Sequence, residues 1–284
     1  MTTSLTHEYP RVLTIAGSDS GGCAGIQADL KTFAALGCFG MSAITALTAQ
    51  NTQGVRAIHG VPPEMLAHQI DAVVEDMGVH AVKIGMLHAP EVVHTVAQAL
   101  ERHALRTVVL DPVMIATSGA VLISPEAVQT LVRELFPLAT LITPNLDEAA
   151  HLVGHPIDNE NAMQAAAEAL RAMGAPAVLL KGGHLPGERV SDYFVSDARA
   201  FWLHAPRIHS PNTHGTGCTL SSAIAAHLAL GAPLDEAVRA AQAYVRDALQ
   251  AGAHVRTGHA SGPLNHSHAP QALRRLPLPS PESH

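Results

Sequence analysis

Short apolar runs that favour β-strands alternate with amphipathic helical segments along most of this chain, and this alternation limits the possible folds more than any other feature. A hairpin joins antiparallel strands, whereas parallel neighbours need a longer crossover that is usually a helix. Strands that alternate with helices are therefore expected to run parallel. The alternation therefore predicts an α/β fold with a mostly parallel central sheet and helices on both faces. The predicted strands are 11–16, 39–50, 55–61, 81–85, 107–111, 141–143 and 177–181, and the predicted helices are 26–36, 64–76, 90–103, 125–135, 146–153 and 162–173.

The pattern changes towards the end of the chain. Two β-type runs between residues 189 and 204 flank Ser196-Asp197-Ala198 and predict a hairpin, after which we expect helices at 219–230 and 234–251. The residues that follow are rich in Gly, Pro, His and Ser, and the last of them lack apolar periodicity. We therefore expect a single domain over residues 1–268 and a loose tail over residues 269–284.

Composition narrows the function classes. The 284 residues are 47% hydrophobic and 14% charged, which suits one large core, and the net charge of −7 without a basic run argues against nucleic acid as a partner. The three cysteines include no CxxC pair, which favours a reducing compartment, and the 19 histidines are scattered, so we assign them no metal. Neither a signal peptide nor a run of ~18 apolar residues occurs. We expect a cytoplasmic protein without a membrane partner.

The loop from Ser210 to Cys218 has the composition of an anion-binding site. Its two glycines and two threonines precede an apolar helix, so backbone N–H groups and the positive end of the helix dipole can face one phosphate. The same field is expected to lower the pKa of the Cys218 thiol and to make its thiolate available. Gly-rich loops before helices are common, however, and a Cys near a helix start is often a small core residue. The loop alone leaves both interpretations open.

A second Gly-rich loop, from Gly17 to Gly25, joins the first predicted strand to the first predicted helix. Gly17 and Gly22 have the separation of a Walker A motif, but Cys23-Ala24 stands in place of the Lys-Ser/Thr pair that holds phosphate and metal. The chain also lacks a GxGxxG fingerprint, which disfavours a dinucleotide-dependent oxidoreductase. This loop is either a place where the backbone approaches a ligand closely or a tight turn.

Polar side chains stand where several predicted strands end. Asp111 ends one predicted strand, and Asn145 and Glu148 stand at the start of the helix that follows the next predicted strand. Their side chains carry the oxygen ligands that Mg²⁺ prefers beside nucleotide phosphates. Lys181 and Gly182 end another strand and suit the phosphates themselves. Each residue alone has a structural explanation in capping or a turn, and for Glu148 alone capping is the better one. Because parallel strands end at one edge of a sheet, the set predicts a common site there.

Longer motifs in a fixed order support this interpretation. They are Leu13-Thr14-Ile15-Ala16-Gly17-Ser18-Asp19, Gly25 to Thr32, Thr45 to Thr52, Lys83-Ile84-Gly85-Met86-Leu87, Asp111-Pro112-Val113-Met114, Thr143 to Ala149, Lys181-Gly182-Gly183-His184 and Asn212 to Thr219. In these motifs the chain resembles the hydroxymethylpyrimidine/phosphomethylpyrimidine kinases of thiamine biosynthesis, which belong to the ribokinase-like superfamily. The resemblance extends over about residues 11 to 268.

The resemblance implies a three-layer ribokinase-like fold, a homodimer and an ATP-dependent, Mg²⁺-assisted reaction. The reaction is phosphorylation of 4-amino-5-hydroxymethyl-2-methylpyrimidine and then of its monophosphate, to give the diphosphate. Cys218 would be the base that deprotonates the hydroxymethyl group, while the backbone at Gly215 and Gly217 would hold the charge that develops on the transferred phosphoryl group.

The resemblance also assigns the remaining site residues. They are Gly17, Asp29, Gln50, Met86 and Val113 around the pyrimidine, Asn145, Lys181, Gly182, Thr213 and Thr216 around ATP, and Asp111 and Glu148 at the metal. Gln50 suits its role on chemical grounds, because its amide offers both a donor and an acceptor to an aminopyrimidine edge. Three positions depart from the family pattern: Cys23 replaces a glycine, Thr117 a lysine and Ser267 an aromatic residue. No phosphate contact is therefore assigned to Thr117.

Two other functions stay open. A pyridoxal or pyridoxine kinase of the same superfamily would have an overlapping loop and similar chemistry, although Gln50 together with Met86 favours the pyrimidine. A non-catalytic pyrimidine-binding regulator would lack the base or the metal carboxylates, whereas Cys218, Asp111 and Glu148 are all present.

Overall fold

The computed structural model describes residues 5–115 and 122–278 of the chain. Its strands are β1 His7–Glu8, β2 Arg11–Asp19, β3 Phe39–Asn51, β4 Gly54–Gly60, β5 Ala81–Ile84, β6 Val108–Leu110, β7 Leu141–Ile142, β8 Ala177–Leu180, β9 Arg189–Ser196, β10 Ala200–Pro206 and β11 Leu276–Pro277. Its helices are α1 Gly25–Ala35, α2 Pro63–Met77, α3 Pro90–Arg102, α4 Pro125–Glu134, α5 Leu146–Val153, α6 Glu160–Ala172, α7 Thr216–Ala229 and α8 Leu234–Gly252.

Nine of these strands form one sheet in the order β10-β9-β8-β7-β6-β5-β2-β3-β4. The neighbours from β8 to β3 in this order run parallel. Antiparallel pairs lie at the two ends of the sheet, where β4 joins β3 and the hairpin β9–β10 joins β8. The mostly parallel sheet and the hairpin near residue 200 are therefore confirmed.

Alternate residues of each central strand point to opposite faces of the sheet, and the apolar side chains on both faces are covered by helices. In β2, Leu13 and Ile15 pack with residues of α2 to α6, whereas Val12 packs with residues of α1, α7 and α8. Each side forms its own hydrophobic core of aliphatic side chains. A sheet between two helical layers is the three-layer α/β fold that the sequence predicts.

Two element boundaries differ from the predictions in ways that matter for the site. β2 ends at Asp19 rather than at residue 16, because Ser18 and Asp19 still pair with β3 after an irregularity in the ladder. Gly17 therefore belongs to the strand, and the first Gly-rich loop is shorter than predicted. α7 begins at Thr216 rather than at residue 219, which places Cys218 inside its first turn.

The described part of the predicted C-terminal tail contacts the domain. Gln271 and Arg274 donate backbone N–H groups to the carbonyls of Ala35 and Gly37 at the end of α1, and β11 pairs with β1. Residues 271–278 are therefore not loose in this structure. Apolar periodicity could not reveal this, because these contacts are made by backbone atoms. The division into a domain over 1–268 and a tail stays a prediction, and residues 279–284 lie outside the described residues.

Candidate active site

The polar residues at the strand ends meet at the carboxyl-terminal edge of the sheet. Asp111 follows β6 and Lys181 follows β8, and the backbone of Lys181 pairs with that of Asn145. The start of α7 lies against them, since a Cβ added to Gly217 would lie 3.1 Å from Nζ of Lys181 and 3.6 Å from Oδ2 of Asp111. The structure thus brings the strand-end residues together with the loop from Ser210 to Cys218, which we call the anion loop.

The loop before α7 leaves backbone donors free. Gly215 caps the helix with a φ of 85°, and a Cβ there would lie 1.9 Å from the carbonyl oxygen of Cys23, so a side chain does not fit. Among the described residues, the N–H groups of Gly217 and Cys218 have no hydrogen-bond acceptor. Two free N–H groups at the positive end of a helix dipole form a site for an anion.

A buried ion pair lies beside Cys218. Nζ of Lys83 is 3.0 Å from Oδ2 of Asp29, and both side chains are fully buried. The hydroxyl groups of Thr14 and Ser222 each donate to the same carboxylate at 2.6 Å. Ser222 follows Cys218 by one turn of α7, so the thiol and the ion pair share one face of that helix.

The surroundings of Cys218 keep its thiol protonated at neutral pH. Burial raises the pKa of the thiol to about 11; the Lys83 ammonium opposes this change, whereas the carboxylates of Asp29 and Asp111 add to it. The lowered pKa expected from the sequence is therefore wrong for this structure, because desolvation outweighs the favourable field at the helix start. Lys83 is the strongest of the groups that lower this pKa.

Lys83 retains its charge within the core. Burial alone would lower the pKa of its ammonium group, but Asp29 and other nearby acidic groups keep that pKa above its usual value. A charged lysine in a dry environment exerts a stronger field than a lysine at the surface, since little water screens it. The ammonium of Lys83 therefore stays charged at neutral pH and favours a Cys218 thiolate.

Three of the predicted pyrimidine residues lie near the anion loop or one another. A Cβ added to Gly17 would lie 2.7 Å from Cε of Met86, so these two residues are in contact. Gln50 is half-buried, and its Nε2 lies 3.0 Å from Nε2 of His214, which precedes the glycine that caps α7. Gln50 is thereby held at the anion loop, although the two residues are distant in the sequence.

The other two predicted pyrimidine residues are placed differently. Asp29 is fully buried, and its carboxylate already accepts hydrogen bonds from three protein groups, which leaves little capacity for a ligand. Val113 is half-buried, and its N–H donates to the carbonyl of Asp111. Contact of either residue with a pyrimidine stays a prediction.

One of the predicted ATP residues, Gly182, already has a structural role in the fold. The N–H of Gly182 donates to Oδ1 of Asp192 at 2.9 Å, and a Cβ at Gly182 would lie 1.9 Å from the carbonyl oxygen of Ser191. This glycine permits close packing, and its N–H is not free for a phosphate. Thr213 is exposed, and the hydroxyl of Thr216 donates to its carbonyl at 2.7 Å.

The predicted metal residues form a charged cluster with Lys181. Nζ of Lys181 lies 2.8 Å from Oδ1 of Asp111. Burial raises the pKa of the Glu148 carboxyl to about 7; Lys181 lowers it and Asp111 raises it further. An additional cation beside these carboxylates would favour the charged form of Glu148 and lower this pKa.

The capping explanation for Glu148 is also confirmed. Asn145 and Glu148 form a reciprocal capping box at the start of α5, in which the side chain of each accepts the backbone N–H of the other. The cap uses Oε2 of Glu148, and the carboxylate has a second oxygen. The oxygen donors of Asp111 and Glu148 fit Mg²⁺, so capping and metal binding are compatible here.

Sequence reasoning missed three residues that shape the site: Asp19, Lys83 and His214. A lysine inside an apolar strand pattern is unusual, and this could have identified Lys83 as a buried charge. Asp19 could have been recognised as a polar residue at a strand end, like Asp111. Nothing in the sequence pattern marks His214 as the partner of Gln50. Thr117 lies outside the described residues.

The architecture is that of the ribokinase-like class, as comparison with solved structures shows. Bacillus subtilis pyridoxal kinase in an ADP complex is similar with a TM-score of 0.84 and 37% identity, over 92% of this chain and 98% of that chain. Residues 19–265 match the family described as phosphomethylpyrimidine kinase, and the chain belongs to that family.

Curated relatives agree with the family assignment. The hydroxymethylpyrimidine/phosphomethylpyrimidine kinase of Rhizobium meliloti (strain 1021) is 53% identical over 257 residues, which are 90% of this chain and 96% of that protein. The thiamine biosynthesis bifunctional protein ThiED of Geobacter sulfurreducens is 51% identical over 268 residues, which are 94% of this chain and 54% of that protein.

Removal of either charge of the buried ion pair should shift the pKa of Cys218, and the two shifts should have opposite signs. Lys83→Met removes the ammonium that favours the thiolate, so the pKa should rise; Asp29→Asn removes a repelling carboxylate, so it should fall. Alkylation of each cysteine at a fixed alkaline pH, quantified by peptide mass spectrometry, measures the thiolate fraction.

Cys38 provides the internal control for this measurement, because burial alone raises its pKa to about 12 with Arg274 opposing, and neither substituted charge acts on it. Circular dichroism establishes that both variants are folded. A change of the Cys218 alkylation rate in the same direction in both variants would contradict the assignment of these charges.

Proposed function

We propose that this protein is an ATP-dependent phosphotransferase that phosphorylates 4-amino-5-hydroxymethyl-2-methylpyrimidine and then its monophosphate in thiamine biosynthesis. The observation that carries the proposal is the position of Cys218 and two free N–H groups of α7 beside Asp111 and Lys181. The family is named for the second of these substrates, and the 53% identical relative is named for both. The relationship to ThiED supports the assignment to thiamine biosynthesis.

In this proposal the residues of the anion loop have separate roles in phosphoryl transfer. The N–H groups of Gly217 and Cys218 stabilise the negative charge on the transferred phosphoryl group, and Gly215 provides the turn that directs them. The Cys218 thiolate accepts the proton of the substrate hydroxymethyl group. Since the thiol is mostly protonated at neutral pH, the reactive form is a minor one that the Lys83 charge favours.

The nucleotide and the metal complete the proposal. We assign Lys181, Asn145, Thr213 and Thr216 to ATP, and the ADP complex of the Bacillus subtilis relative supports a nucleotide as the second ligand. The oxygen atoms of Asp111 and Glu148 would hold Mg²⁺. An Mg²⁺ ion held by these residues would neutralise charge on the phosphate oxygens.

We also propose a homodimer in the cytoplasm. Leu47 and Ile58, near the sheet edge that β4 forms, expose 49% and 41% of their surfaces, and such apolar edges are often covered by a second chain. All three cysteines are free thiols, which favours a reducing compartment. Within residues 5–115 and 122–278, none of the helices combines the length and hydropathy that a membrane span requires.

Cys218→Ala should lower kcat by about 10²–10⁴-fold, the usual contribution of a general base, and leave the KM for ATP nearly unchanged. Steady-state assays with ATP and the hydroxymethylpyrimidine measure both constants. Cys38→Ala is the matched control, because it removes a buried thiol that is distant from Cys218 in the sequence. Its kcat is expected to be close to that of the wild type. A kcat for Cys218→Ala within about tenfold of the wild type would show that Cys218 is not the base.

Glu148→Gln should increase the Mg²⁺ concentration required for half-maximal activity by about tenfold or more, because the amide retains the cap but loses the charge. Asp147→Asn is the matched control, because Asp147 directly precedes Glu148 in the same helix turn and 71% of its side chain is exposed. Activity is titrated with Mg²⁺ at saturating ATP. An equal shift in both variants would indicate a general effect of surface charge and would remove Glu148 from the metal site.

A pyridoxal kinase is the second candidate, because the Bacillus subtilis relative with 37% identity carries that name. We expect kcat/KM to be higher for the hydroxymethylpyrimidine than for pyridoxal, since the Gln50 amide can pair with both a ring nitrogen and the amino group. Gln50→Glu replaces a donor with an acceptor and should reduce the preference. A higher kcat/KM for pyridoxal in the wild-type protein would make pyridoxal the substrate.

A further inference from the structure

Three metal-ligating side chains meet where the first Gly-rich loop contacts the anion loop. Asp19 ends β2, Cys23 lies in the loop that follows, and His214 lies in the anion loop near the start of α7. All three residues are buried, and one ligand atom from each lies within 4.8 Å of the others. The cluster is separate from Asp111 and Glu148, the residues assigned to Mg²⁺.

The protein backbone holds the carboxylate of this cluster in place. Oδ1 of Asp19 accepts the N–H of Gly21, and its Oδ2 accepts the N–H groups of Cys23 and Ala24 at 2.9 and 2.8 Å. Burial alone would raise the pKa of the Asp19 carboxyl, but His214 and, to a smaller extent, these backbone bonds hold that pKa below its usual value. One ligand is therefore anionic and fixed before any ion arrives.

The distance between the imidazole and the carboxylate suits a small tetrahedral ion. Zinc holds nitrogen and oxygen ligands at about 2.0–2.2 Å, so two such ligands in tetrahedral geometry are roughly 3.3–3.5 Å apart. Nε2 of His214 lies 3.7 Å from Oδ2 of Asp19, so a shift of a few tenths of an ångström would allow both to bind one ion. A thiolate and an imidazole select a borderline transition metal over Mg²⁺, which prefers oxygen ligands.

We propose that Asp19, Cys23 and His214 form a binding site for a divalent transition metal of the zinc class. Binding forms a metal–sulfur bond and releases the proton of the Cys23 thiol to solvent. Burial and the Asp19 charge raise the pKa of this thiol, while the Lys31 ammonium lowers it, so the metal must compete with a proton. Water supplies the remaining position of the tetrahedron.

The site is connected to the residue assigned to the pyrimidine. Nε2 of His214, the atom that faces Asp19, also lies 3.0 Å from Nε2 of Gln50. An ion bound to this nitrogen uses its lone pair and ends the contact with Gln50. We therefore expect the metal to weaken binding of the pyrimidine, a consequence that rests on the proposed function.

The thiol is an addition to the loop rather than a requirement of it. The Sγ of Cys23 has only a weak contact of 3.7 Å with the carbonyl of Gly21. The hydrogen bonds that shape the loop use its backbone N–H, which any residue other than proline supplies. Cys23→Ser should therefore preserve the loop and remove the metal ligand.

Titration of the full-length, reduced protein with cobalt(II) tests the site directly. We expect a thiolate-to-cobalt charge-transfer band, its loss in Cys23→Ser, its retention in Cys38→Ser and Cys218→Ser, and its removal by zinc. His214→Ala should weaken cobalt binding at least tenfold, because loss of a ligand should cost no less than loss of a residue that orients one. The absence of the band in the wild-type protein, or its persistence in Cys23→Ser, would overturn the proposal.

Calorimetry with the hydroxymethylpyrimidine tests the connection to Gln50. Zinc at saturation should raise the Kd of the pyrimidine several-fold in the wild-type protein and leave it unchanged in Cys23→Ser. An unchanged Kd in the wild-type protein would overturn the antagonism. If the metal-free protein fails to bind the pyrimidine, the proposed function is wrong, and the cobalt spectra still decide the metal site.

Discussion

The ion pair between Lys83 and Asp29 is the interaction on which the arrangement of this site most depends. Four elements meet at one carboxylate: Lys83 comes from β5, Asp29 from α1, Thr14 from β2 and Ser222 from α7. A buried pair of this kind adds little net stability, but loss of one partner leaves an uncompensated charge that costs about 3–5 kcal/mol. The pair therefore acts mainly through specificity: it fixes where α7 lies against the sheet, and with it the position of Cys218.

The two Gly-rich loops form one structure, although they are far apart in the sequence. Gly215 lies against the carbonyl of Cys23, and His214 contacts both Asp19 and Gln50. The groups assigned to phosphoryl transfer and to the pyrimidine are thus connected through hydrogen bonds and backbone contact. In such an arrangement a ligand at one loop changes the surroundings of the other.

The sequence was sufficient to predict a mostly parallel sheet, the succession of strands and helices along the chain and the meeting of Asp111, Asn145 and Lys181 at one edge, because periodicity and strand ends are local properties. It was insufficient where the outcome depends on neighbours from distant segments. The pKa of Cys218 is raised because desolvation in the folded protein exceeds the field of the helix start. The N–H of Gly182 is used by Asp192, which the sequence could not place beside it. Family resemblance supplied residue roles that neither periodicity nor spacing contains.

The burial of α7 has a consequence for how this architecture can vary. Every side chain from Thr219 to Ala226 is buried, and most are Ala, Ser or Thr, which lets the helix pack closely with α1, α8 and the sheet. A larger residue there would meet atoms on all sides, and a rotation of the helix would disrupt both the core and the ion pair. The turns of α7 that directly follow the thiol and the free N–H groups therefore tolerate few larger side chains. Divergence of substrate preference among proteins with this fold is accordingly expected in the strand ends and loops around this helix rather than in its buried turns.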